Sequence, residues 1–154
     1  MGVNPDIAGR VYPPSPAYEV GREKIREFAD AVGLADAVHR DPEVARARGY
    51  RDVIAPPTFA VIVAQRCDAQ VIVDPASGID FGRVVHGEQR FKHHRPIVAG
   101  DRLVATLHVD DVDARGKHAM VTTRVEIADE AGEPVTTARS TIVVREGGTA
   151  GGGA

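Results

Sequence analysis

The sequence predicts an α+β fold in which an antiparallel sheet wraps around one long buried helix. Three observations carry that prediction. A run of apolar residues from Thr58 to Ala64 follows a pair of prolines. Three later segments place apolar residues at every second position. The connections between those segments are short and carry glycine, as hairpins require.

Taken in order, residues 1–10 read as an irregular lead-in, and the stretch from Val3 to Pro16 is rich in Pro and Gly. Residues 11–145 form one domain, since 154 residues leave room for a single sizeable core. Residues 146–154 are a Gly- and Ala-rich tail with nothing to bury, expected to be disordered. Arg22 to Val32 reads as an amphipathic helix. Ile25, Phe28, Ala29 and Val32 recur on one face, and Arg22, Glu23, Arg26 and Glu27 take the other. Gly33 stops it, and Asp41-Pro42-Glu43 opens a short helical turn with Asp41 as cap.

Behind Pro56-Pro57, no polar face appears until Gln65 and Arg66. A run of about twelve residues, apolar all round, is too short for a bilayer and is expected to be a helix buried in the protein. A buried strand is the competing reading, because Val and Ile also form strands. Val84 to Arg95 is the first expected strand of the sheet. The alternating runs are Leu103, Ala105, Leu107 and Val109; Ala119, Val121, Thr123, Val125 and Ile127; and Thr136, Ala138, Ser140, Ile142 and Val144. Asp113 to Lys117 and Asp129 to Glu133 connect them. Such a meander leaves an edge strand, and pairing it with a second copy or a related chain predicts a dimer.

Composition narrows the function classes. With 43% hydrophobic and 27% charged residues, the chain is balanced for a folded soluble protein. A net charge of −3 argues against a cationic nucleic-acid surface, and the absence of Trp, with three Tyr and four Phe, argues against a base-stacking platform. The single cysteine, Cys67, can form no internal disulfide and suits a cytoplasmic location. No membrane span or signal-peptide profile is legible. A compact domain handling something small or aliphatic remains.

The chemically informative stretch runs from Gly33 through His39 to Glu43, followed by Gly49-Tyr50, Ile54 to Phe59, and Arg95 to Asp101. In order and spacing these segments resemble the MaoC-like family of R-specific enoyl-thioester hydratases and 3-hydroxyacyl-thioester dehydratases. The likeness is greatest to the small actinobacterial dehydratase subunits, and it extends from about Val11 to Val144. It implies a hot-dog fold, an acyl-carrier-protein or coenzyme A thioester as ligand, a dimer, and no cofactor. The family signature is Gly-Asp-x-Asn-Pro-(Leu/Ile)-His. Gly33 and His39 match its ends, whereas Leu34 stands at the catalytic aspartate, Asp36 at the asparagine and Ala37 at the proline.

Reversible hydration of a 2-enoyl thioester needs water activated for C3, a proton for C2, and a polarised thioester oxygen. A His and an Asp divide the proton work in the family, and loss of one such group removes on the order of 100- to 10,000-fold in rate. Leucine can transfer no proton. His39 therefore has three readings: a structural residue, a lining of an acyl-thioester pocket, or a substitute dyad with Asp36. Backbone groups of Thr58, Phe59 and Ala60 at the buried helix's start are candidates for the oxyanion contact, and Phe59, Ile62 and Val63 for the acyl pocket. Arg90 and Lys92, with His94 and Arg102, are candidates for a carrier-protein or phosphate contact, although a solvated strand face explains them as well. His86, His93, His94, His108 and His118 lack metal-site spacing, so no metal is expected. Cys67 reads as a packing residue and Asp101 as a turn-former; Arg95 is expected to pair with a carboxylate that the sequence does not identify.

Three functions follow: a non-catalytic subunit paired with a catalytic hot-dog chain, a self-sufficient homodimeric hydratase using His39 and Asp36, or a binding module for acyl thioesters.

Overall fold

The computed structural model describes residues 2–147. Its elements in order are β1 (Tyr18–Glu19), α1 (Arg22–Ala31), α2 (Pro42–Ala47), α3 (Ala60–Val73), β2 (Val84–His93), β3 (Arg102–Arg115), β4 (His118–Asp129) and β5 (Pro134–Arg145). All strands join one sheet in the order β1-β3-β4-β5-β2, and every pairing is antiparallel. The expected architecture of a sheet around a buried helix is present.

Period-2 alternation does the sorting. Leu103, Ala105, Leu107 and Val109 of β3, Ala119, Val121, Val125 and Ile127 of β4, and Ala138 and Val144 of β5 are buried in the core that includes α3, while Val135 is buried out of phase at the start of β5. The β3–β4 connection is tighter than expected, because the strands continue to Arg115 and resume at His118. Asp129 closes the next hairpin by accepting the N–H groups of Ala131 and Glu133, both at 3.0 Å.

The central helix differs from its sequence reading in two ways. It opens at Ala60, because Pro57 to Phe59 form a turn in which the Phe59 N–H donates to Pro56 O at 2.9 Å. It also runs on to Val73 and is buried on one side rather than all round. Ala60, Val63, Ala64, Cys67 and Val71 face the sheet, while Gln65, Arg66 and Ala69 are exposed. A sheet curled about a helix covers one flank, and short apolar runs cannot report which flank stays open.

Helix α1 buries Ile25 and Ala29, and Gly33 ends it with φ of 75°, a conformation that a side chain would strain. Asp41 caps α2 through the Glu43 N–H at 2.9 Å. The Pro-rich segment before β1 runs beside β3, with Gly9, Tyr12 and Ser15 donating to Val109, Leu107 and Ala105 carbonyls. Val3 and Ile7 are buried in the core. Among the described residues no helix is long and apolar enough to cross a membrane. The expected disordered tail lies, from residue 148 onward, outside the described residues.

Candidate functional site

A cleft of about 650 Å³ opens between the Ala37–His39 turn, the 54–57 loop and the 93–97 segment that follows β2. Leu34, Asp36 and His39 share its wall, so the structure brings together the three signature positions on which the sequence reading turns.

His39 is buried at 8% exposure, and its Nδ1 lies 2.7 Å from Ile54 O. A carbonyl only accepts, so Nδ1 carries a proton, and in the neutral ring the lone pair is on Nε2. Asp36 is differently occupied. Its Oδ1 accepts the Val38 N–H at 2.9 Å and the Arg48 guanidinium at 2.8 Å. The Val38 N–H and then Arg48 hold this carboxyl below its ordinary range. It caps the turn that presents His39, and a carboxylate so stabilised is a weak base. Leu34 is exposed, and its backbone is fixed by its own N–H donating to Ala29 O and by Arg40 donating to its carbonyl.

The 93–97 wall is held by a contact that the sequence left unassigned. Arg95 pairs with Asp101 through Nη1 at 2.8 Å and Nη2 at 3.2 Å, and Arg51 reaches the same carboxylate at 3.0 Å. Asp101 also accepts the Val98 N–H at 2.9 Å. Burial pushes Asp101 up, but Arg95, the Val98 N–H and Arg51 outweigh it and hold the carboxyl below its ordinary range. The pinned loop pairs with the loop beneath His39: Ala55 N–H donates to Ile97 O at 2.8 Å, and Ala99 N–H to Val53 O at 3.0 Å. Asp101 therefore sets, through two short bridges, the carbonyl that orients His39.

The other candidates lie elsewhere. Phe59 is fully buried and meets Phe28 and Tyr18 edge-on, with ring centroids 5.4 Å and 6.4 Å away. Val63 faces the core and Ile62 is half-buried; none of the three lines the cleft. The Phe59 N–H, expected to be available for an oxyanion, is engaged by Pro56, whereas those of Thr58 and Ala60 have no backbone acceptor among the described residues. Arg90 is exposed but matched by Glu88 at 2.7 Å, so the expected basic stripe is half neutralised. Lys92 is exposed on the same strand. No group of three or more His, Cys, Asp or Glu side chains among the described residues could hold a metal ion.

Residues 7–138 match the model of the FAS1-like dehydratase domain region. Similar proteins include the UPF0336 protein of Saccharopolyspora erythraea, 56% identical over 145 residues and covering 94% of this chain and 93% of that protein. The UPF0336 protein Lxx02810 of Leifsonia xyli subsp. xyli is 52% identical over 143 residues, covering 93% and 96%. Among solved structures, a chain of the HadBC (3R-hydroxyacyl-ACP dehydratase) complex from Mycobacterium tuberculosis is 35% identical with a TM-score of 0.80, covering 90% of this chain and 97% of that chain. A MaoC-like dehydratase is 34% identical with a TM-score of 0.83, and the match covers 90% of this chain but 42% of that larger chain. The hot-dog fold that the family resemblance implies is borne out.

Proposed function

Because this chain belongs to the FAS1-like dehydratase family, with MaoC-like neighbours, we propose that it is the non-catalytic, acyl-binding subunit of a 3-hydroxyacyl-thioester dehydratase. A related hot-dog chain supplies the missing acid. The observation that carries this reading is Leu34 on the wall of the His39 cleft, where the family signature requires an aspartate.

The chemistry argues the same way. Dehydration removes a proton from C2 and expels hydroxide from C3 as water, so two groups must exchange protons. His39, with its Nε2 lone pair, can serve one role. Leu34 can serve neither, and Asp36 is tied to Val38 and Arg48. Ile62 is the expected acyl-chain residue with surface left to offer, and of the expected oxyanion donors the Thr58 N–H is the exposed one, Ala60 being fully buried. Lys92, free of the Glu88 contact that neutralises Arg90, is the better phosphate or carrier-protein contact. Strand β2 ends the sheet, and its last residue, His93, lines the cleft. A second chain added along that edge stands beside the site. The HadBC complex, described as a 3R-hydroxyacyl-ACP dehydratase, supports a two-chain assembly for this protein too.

The test is hydration of crotonyl-coenzyme A and longer enoyl thioesters by this chain alone and by the chain co-expressed with a hot-dog protein bearing the complete aspartate-to-histidine signature. The pair is expected to outpace the lone chain by about 100-fold or more. Rapid turnover by the lone chain overturns the proposal and favours a homodimeric hydratase; tight binding with no turnover by either favours a binding module.

A further inference from the structure

A second cleft, of about 320 Å³, lies between the later turns of α3 and the inner faces of β2, β4 and β5. Asp68, which marks it, stands about 12 Å beyond Ala60 along the helix at 1.5 Å per residue. Ile72, Val84 and Ile142 give it apolar walls, and Phe81 and Val73, 73% and 75% exposed, frame it without covering from this chain.

One corner of this recess is polar in a way the core does not need. Thr123 and Ser140 sit opposite each other on β4 and β5 and are both buried. The Thr123 hydroxyl donates to Asp68 Oδ1 at 3.1 Å, and Ser140 Oγ lies 3.4 Å from His86 Nε2. No arginine or lysine among the described residues pairs with Asp68, unlike the buried Asp101, which holds two arginines. Burial pushes the Asp68 carboxyl up to about 6, so at neutral pH it is largely an anion in an apolar recess with one hydroxyl donor. A carboxylate has about four lone-pair positions, and the Thr123 hydroxyl is the one side-chain donor bonded to Asp68 among the described residues.

The geometry points to a ligand site at this cleft for an aliphatic molecule whose head group donates hydrogen bonds, an alcohol or ammonium, with the head at Asp68 and the body against Ile72, Val84 and Ile142. A donor head satisfies the open lone pairs of the carboxylate with charge-assisted bonds, and the aliphatic body covers the apolar walls. A carboxylate head meets the like charge of Asp68, so it is disfavoured against a donor head of the same length. This inference is independent of the dehydratase reading, since neither His39 nor Leu34 takes part.

The experiment is calorimetric titration of the full chain at pH 7.5 with octylammonium, 1-octanol and octanoate, paired with methyl chemical shifts from an NMR spectrum. Octylammonium and 1-octanol are expected to bind saturably at one per chain, at least about ten-fold more tightly than octanoate. The shifts are expected at Ile72 and Ile142 and not at Leu34 or Ile54. In Asp68→Asn the discrimination against octanoate should fall below about three-fold. Ala69→Phe, which fills the cleft from the exposed side of α3, should abolish binding of all three. Absence of saturable binding by the donor-headed probes, equal binding of octanoate, discrimination that survives Asp68→Asn, or shifts centred on the His39 cleft would each overturn the assignment.

Discussion

The His39 imidazole and the Ile54 carbonyl, 2.7 Å apart, form the contact that decides what this site can do. The carbonyl fixes the neutral tautomer of a ring on the wall of a cleft whose other signature position, Leu34, is aliphatic. Of the two positions at which the family signature places its proton-transfer pair, one holds an oriented imidazole and the other holds Leu34.

Restoring the absent half is the sharpest test. Leu34→Asp is expected to raise enoyl-thioester hydration by the lone chain at least about ten-fold, and His39→Ala in that background should remove the gain. Steady-state assays of the three proteins check it. A gain that persists without His39 would detach the new carboxylate from the expected pair.

Asp101 is buried and touched by two guanidiniums and a backbone N–H. Asp101→Ala is expected to destabilise the fold by about 2 kcal/mol, as for loss of hydrogen bonds to a charged group. Because its folded-state pKa is depressed, its contribution is present above the unfolded value and lost as pH falls through the folded one. Denaturant unfolding at pH 7 and pH 3 should show a smaller gap between wild type and variant at pH 3 than at pH 7.

Asp68 runs in the opposite sense. Its folded carboxyl is raised from 3.8 to about 6, so between these values the folded chain holds a proton that the unfolded chain has released. Stability falls as pH rises through that window, and the penalty, about 1 to 3 kcal/mol, is complete above it. Asp68→Asn is expected to stabilise the protein by that amount at pH 8 and scarcely at pH 4. Equal stability at pH 8 would mean that water entering the cleft already solvates the carboxylate.

Phe59 and Ile62 separate core from surface on α3 and the turn before it. Phe59→Ala removes a fully buried ring between two others and is expected to destabilise by about 3 to 5 kcal/mol, whereas half-buried Ile62→Ala should cost less than half of that. Thermal melts of the two variants test the ranking.

Burial pushes the Cys67 thiol up to about 11, and its Sγ lies 3.5 Å from Ala105 O. Native protein should resist thiol reagents at pH 8 and label fully in denaturant, which mass spectrometry measures.

Local patterning carried most of the architecture into the sequence. The alternation of Leu103 to Val109 and Ala119 to Ile127 named the buried face of two strands, and the prolines before Thr58 placed the central helix within a few residues of its start. The signature positions Leu34, Asp36 and His39 were legible because they are close in the chain. What stayed hidden depends on distance along it. Arg95 finds Asp101 across a turn, and Asp101 finds Arg51 from another loop, as no spacing could report. Thr123 and Ser140 were read as ordinary members of alternating runs; their inward hydroxyls acquire meaning when Asp68, from α3, arrives opposite them.

The irregularity in β2 has a wider reach than its size suggests. Pairing with β5 steps out of register between His86 and Glu88, so Gly87 is an extra residue, and a Cβ there would stand 3.2 Å from Thr141 O. Upstream of it Val84 and His86 oppose Val144 and Ile142; downstream Gln89, Phe91 and His93 oppose Ser140, Ala138 and Thr136. Had the strand paired regularly through Gly87 instead of bulging there, Glu88, Arg90 and Lys92 would be turned toward the hydrophobic interior. The bulge at one glycine thus reverses the orientation of half a border strand, sending its cations outward to solvent and half-buried Phe91, on which exposed His93 stacks, toward the inner face.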